Sequence, residues 1–152
     1  MTIPTNDFWI NRTRPMIQDG YLSIRIGKSV PDTVIGKIQS RMNILDQEIG
    51  VNFRYTEIKS DADVLIQYRS DLPIGANGWA AFGGNKWKLE VAKGTLADFV
   101  PDYAAKIVMH EMGHALGLDH HWQRGVMYGN MSGVTKRFSF DELNTLRSIW
   151  TV

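Results

Sequence analysis

Residues 110–120 read His110-Glu111-Met112-Gly113-His114-Ala115-Leu116-Gly117-Leu118-Asp119-His120, which is H-E-x-x-H followed without a gap by x-x-G-x-x-H. On an α-helix, residues four apart lie one above the other, so His110 and His114 project their imidazoles toward one point. Two such rings can meet on a single Zn²⁺ at about 2.0–2.1 Å per Zn–N bond. Glu111 leaves the helix one residue later and can reach a water on that metal without being a ligand. A third ligand must come from outside the helical register. Gly117 supplies the break, because glycine takes positive φ without steric cost and turns the chain back. His120 then follows as the third nitrogen. Three protein ligands leave one tetrahedral position open, the pattern of a catalytic zinc and not of a structural one. H-E-x-x-H alone arises by accident; a glycine and a third histidine at fixed offsets add two further constraints.

The four histidines, His110, His114, His120 and His121, all fall in this one short region, and the chain has no cysteine. Disulfides and thiolate metal sites are thereby excluded. His121 directly follows the third ligand, and two adjacent ligands from one turn would be strained. His121 is therefore expected on the rim of the site, facing substrate or water. The 152 residues suit one domain with a proper core. The net charge of +1 offers no field to attract nucleic acid or an anionic membrane. No apolar run approaches the roughly 18–20 residues of a membrane span. The opening Met1-Thr2-Ile3-Pro4-Thr5-Asn6 lacks the basic and apolar regions of a signal peptide.

Outward from the motif, Pro101 and Asp102 open the helix that carries it, which is expected to run to about Leu116. Upstream, residues 1–19 read as an irregular arm. Leu22, Ile24 and Ile26 alternate as a strand. Val34, Ile38, Met42, Leu45 and Ile49 recur at helical spacing and predict a helix over 32–49, with Gly50 as its stop. Val51, Phe53 and Tyr55 give a second strand. Val64, Ile66 and Tyr68 lie on one side of a third, over 62–68. Trp79 to Phe82 is a short strand. Trp87, Leu89 and Val91 alternate with Lys86, Lys88 and Glu90, which predicts a strand with one wet face. Downstream, Ser139-x-x-Glu142 is a capping box opening a last helix over 140–150. The β-α-β-β start implies a right-handed crossover and a mixed sheet. The class is α+β: one domain, a mixed twisted sheet of about five strands, a backing helix, an active-site helix and a C-terminal helix.

The zinc motif resembles that of the metzincin metallopeptidases, and its G-L-D-H ending is most similar to the matrixin branch. Two further stretches carry the resemblance. Val126-Met127-Tyr128 looks like the matrixin Met-turn, which would put Met127 under the zinc as an apolar floor. Ser139-Phe140-Asp141-Glu142-Leu143 is similar to the opening of the family's last helix, where one of Asp141 and Glu142 should brace the Met-turn. The order of elements from about residue 20 onward is also that of the family. By the resemblance, Tyr128 is pocket wall, and an extracellular site of action is implied. The departures are as specific. Gly78-Trp79-Ala80-Ala81-Phe82 resembles a family strand but lacks its histidine, and no histidine remains for a second, structural zinc. Asp61, Asp63 and Asp71 are the acids available for Ca²⁺. No cysteine-bearing pro-segment is expected; some relatives block the metal with an aspartate of a short N-terminal arm, and Asp7 could do that, although an exposed arm is the preferred reading.

The activity implied is peptide-bond hydrolysis by a zinc endopeptidase, with metal-activated water and Glu111 as general base. The expected partner of a monomeric enzyme is a polypeptide lying extended along the edge strand near 79–82. Residues 121–133 would shape the pocket for the side chain after the scissile bond, with an apolar preference because no Asp, Glu, Lys or Arg lies between Val126 and Thr135. Lys136 or Arg137 turning inward would reverse that preference. Two other readings of the motif are a zincin-like binding or structural module without activity and an amidase acting on cell-wall peptides. Intact Glu111 argues against the first; hydrolysis of a generic unfolded protein separates the second.

Overall fold

The computed structural model describes residues 21–73, 75–121, 124–129 and 134–150. Five strands and three α-helices follow in the order β1 (Leu22–Ile26), α1 (Asp32–Ile49), β2 (Phe53–Tyr55), β3 (Val64–Arg69), β4 (Gly78–Gly83), β5 (Lys86–Ala92), α2 (Pro101–Ala115) and α3 (Phe140–Trp150). The three helices span close to the ranges that the apolar spacing implied. The strands form one mixed sheet in the order β2-β1-β3-β5-β4. β1 pairs in parallel with β2 and β3, and β3 with β5; β4 alone runs antiparallel, against β5. The architecture is therefore α+β, and β4 is an edge.

One face of the sheet makes the core. Leu22 and Ile24 of β1, Val64 and Ile66 of β3, and Leu89 and Val91 of β5 are fully buried there. α1 lays Val34, Ile38, Met42 and Leu45 into the same cluster. α1 ends where Gly50 takes φ 70° and its N–H caps the Asp46 carbonyl at 2.7 Å. α2 begins with Pro101 at its first turn, where the missing N–H costs nothing. It is buried almost all round from Ala104 to Ala115, so it is the central element and not a surface helix. Among the described residues, no helix is long and apolar enough to cross a membrane.

The opposite face departs from expectation at one position. Glu90 was expected on the wet side of β5 but is only 3% exposed. Gln67 Nε2 donates to Glu90 Oε2 at 2.8 Å and Arg69 Nη1 lies 3.2 Å from the same oxygen. A cross-strand amide and guanidinium thus replace the water that the alternation had implied.

Candidate metal centre

The C-terminus of α2 closes as a Schellman turn. Gly117 takes φ 112°, its N–H bonds the His114 carbonyl at 3.1 Å, and the Leu118 N–H bonds the Gly113 carbonyl at 2.8 Å. The turn reverses the chain and returns His120 to the face that carries His110 and His114. The Nε2 of His120 lies 2.9 Å from that of His110 and 3.2 Å from that of His114. The three rings are buried, half-buried and exposed in chain order.

The other ring nitrogens fix the proton positions. His110 Nδ1 is 2.7 Å from the Val126 carbonyl and His114 Nδ1 is 2.9 Å from the Leu118 carbonyl. A carbonyl only accepts, so both Nδ1 atoms donate and both Nε2 atoms present lone pairs. Burial pushes His110 down to about 4; the Val126 carbonyl opposes this, and the neighbouring imidazoles add to it. Burial, then His120, also lowers His114. Both rings are neutral near pH 7. Lone pairs this close repel unless a cation or a proton lies between them, and neutral imidazole is the form that binds metal. The donor set therefore fits a metal ion, and these three residues could hold one. Among the described residues, no other group of three His, Asp or Glu side chains is close enough to do so.

Glu111 is buried beside the triad, and burial pushes its carboxyl up to about 8. A proton acceptor in that range suits base chemistry near neutrality, and a cation beside it would favour its charged form. Room for it is made by Gly78 at the start of β4, where a Cβ would come within 3.0 Å of Glu111 Oε1 and closer still to Ile107. An open cleft of about 420 Å³ runs past these groups, lined by Ala76, Gly78, Trp79, Ala80, Trp87, Glu111, His114 and His120. Trp79 and Phe82 of the edge strand are 45% and 39% exposed.

No protein-family model matches the chain, and no curated protein matches it.

The segment after His120 is held from α3. Met127 is fully buried and packs against Gly113, where a Cβ would overlap its Sδ. Glu142, 0% exposed, accepts from Val126 N at 2.8 Å and Met127 N at 2.6 Å. Of the two acids left open by the sequence, Glu142 is the one that braces this turn. It also accepts from Ser139 N at 2.8 Å, while its own N–H reaches Ser139 Oγ at 3.2 Å, completing the capping box.

Two sequence expectations need correction. His121 is not on the rim: it is 5% exposed and its Nε2 lies 2.8 Å from Glu142 Oε2. The buried carboxylate takes a fourth donor that the spacing could not reveal, since the partner lies 21 positions away. Tyr128, expected as pocket wall, is half-buried and joined to His121 by a backbone bridge. Asp61 and Asp63 flank one cleft, but Asp71 does not join them, and the three form no group close enough to hold an ion. Asp63 Oδ2 accepts from Ser23 N at 2.9 Å and Ser23 Oγ at 3.1 Å, and Asp71 is taken by Arg69 Nε at 2.7 Å. Asp7, the arm at 1–19, and residues 122, 123 and 130–133 of the expected pocket lie outside the described residues. Lys136 and Arg137 turn away from the metal site, toward Asp102 at 4.0 Å and Glu48 at 3.4 Å.

Proposed function

We propose that the chain is a zinc-dependent endopeptidase of the metzincin type, similar to the matrixins. The observation that carries this reading is the meeting of three imidazole Nε2 atoms beside a buried carboxylate, in an open cleft bounded by a strand that is the edge of the sheet among the described residues. Zinc is the metal of choice because three neutral imidazoles with an open fourth position match its tetrahedral preference. When bound, it would acidify a water and polarise the scissile carbonyl.

The chain's own residues do the rest. His110, His114 and His120 orient the site. Glu111 takes the proton of the attacking water and passes it to the leaving nitrogen, acting first as base and then as acid. The outer edge of β4 offers backbone N–H and C=O groups to an extended peptide, which is read as an added strand. An open edge cleft does not require a chain terminus, so cleavage is internal. The side chain after the scissile bond is apolar and bulky, consistent with Lys136 and Arg137 being engaged elsewhere. Incubation with a diverse peptide library and sequencing of the new N-termini tests the reading. Cleavage that is lost with a chelator and restored by Zn²⁺, with Leu- or Met-like residues at the new N-termini, supports it. A metal-loaded protein inert on all peptides and on casein overturns it, and new N-termini dominated by Asp or Glu overturn the apolar pocket.

A further inference from the structure

Two of the three candidate ligands have their rings anchored: His110 by the Val126 carbonyl and His114 by the Leu118 carbonyl. His120 differs. Its backbone N–H bonds Asp119 Oδ1 at 2.9 Å, and no described residue accepts from its Nδ1. Its side chain is exposed, and it stands between two buried neighbours on the chain or close to it, Leu118 and His121. The position of this ring is therefore set through the backbone, by whatever fixes those flanks.

Leu118 is fixed by the Schellman turn. Three described bonds hold His121. Its N–H donates to the Met127 carbonyl at 3.1 Å, its carbonyl accepts from Gly129 N at 3.0 Å, and its Nε2 donates to Glu142 Oε2 at 2.8 Å. The same carboxylate holds Val126 N at 2.8 Å, and the Val126 carbonyl holds the His110 ring at 2.7 Å. Glu142 is thus one bond from His121 on one side and, through the single residue Val126, linked to His110 on the other. Gly125 leaves it the space, since a Cβ at that position would overlap the carboxylate.

We propose that His121 is a positioning residue for the metal, holding His120 in register through its bond to Glu142 of α3. The inference rests on the metal-site reading above. A ligand's outer partners set its orientation, and their loss typically costs about 10–100-fold in metal affinity. Here the outer partner acts on the neighbouring residue and not on the ligand ring.

The test uses two amides of different reach. In His121→Gln the amide nitrogen occupies the place of Nε2 and keeps the donor to Glu142. In His121→Asn it occupies the place of Nδ1 and falls short. Zn²⁺ affinity is measured by competition with a chromogenic chelator, and the visible d–d spectrum is recorded on the Co²⁺-loaded proteins. His121→Asn is expected to lose about 10–100-fold in Zn²⁺ affinity and to show shifted Co²⁺ bands, with His121→Gln close to the parent in both. Equal affinity and spectra in all three proteins, or Gln failing as badly as Asn, would overturn the proposal and reduce His121 to packing. A parent chain that binds neither metal would overturn the metal-site reading itself. That outcome is distinct, because it is read on the unsubstituted protein.

Discussion

At the scale of single residues, Glu111 and two glycines give sharp expectations. Glu111→Gln keeps the volume and removes the base. It should retain Zn²⁺ and fold while hydrolysis falls by about 10²–10⁴-fold, measured as initial rate on a cleaved library peptide. A rate near the parent's would exclude Glu111 from the chemistry. Gly113 and Gly36 are both helical, and helix propensity favours alanine over glycine at each by about 1 kcal/mol. Their surroundings reverse the sign at one of them. A Cβ at Gly36 meets nothing within 4 Å, so Gly36→Ala should stabilise by about 0.5–1 kcal/mol. A Cβ at Gly113 overlaps the Sδ of Met127, a fully buried side chain. Gly113→Ala should instead destabilise by about 1–3 kcal/mol, the usual cost of overpacking. Urea unfolding of the two variants side by side checks the pair, and equal shifts would show that the Met127 contact is soft.

At the scale of elements, α3 is tied to the site by one carboxylate. Glu142→Ala leaves Val126 N, Met127 N, Ser139 N and His121 Nε2 without their acceptor. Each buried donor left unpaired costs about 1–3 kcal/mol, though shared relaxation keeps the total below the sum. A loss of about 3–5 kcal/mol is expected, comparable to breaking a buried ion pair. Asp141→Ala, at a half-buried position in the first turn, should cost no more than about 1 kcal/mol. The reverse ranking in denaturant melts would mean that the wrong acid has been assigned the brace. The capping box at Ser139 and Glu142 was legible because it is local, a matter of residues three apart. The other bonds of Glu142 were not, because they cross 15 to 21 positions and depend on how α3 docks. The same distinction explains Glu90. Alternation reports which side of a strand a residue is on, and it carries no information on whether Gln67 and Arg69 cover that side. It also explains His120: the spacing of motif and Gly117 is local, so the triad could be read directly, whereas the partner that removed His121 from the rim is remote.

At the scale of the whole molecule, the metal would link a helix to the irregular chain after it. His110 and His114 belong to α2, and His120 to the segment beyond the Schellman turn. A ligand that binds only the folded form stabilises it by about 2.7 kcal/mol at a free concentration 100 times its Kd. A chelator should therefore lower the unfolding midpoint, added Zn²⁺ should restore it, and His120→Ala should respond to neither. An unchanged midpoint in the parent would mean that the triad holds no ion in solution. The open edge at β4 has a different consequence, for the lifetime of the protein in storage. An edge that reads backbone accepts any extended chain, and an unfolded copy of this protein is such a chain. Folded molecules would digest the small population that has unfolded, so the stock should decay by autolysis at a rate set by the product of the two populations. Doubling the concentration would then shorten the half-life, and Glu111→Gln would keep indefinitely by comparison. On the endopeptidase reading, the rate of loss would thus report the unfolded fraction that stability sets.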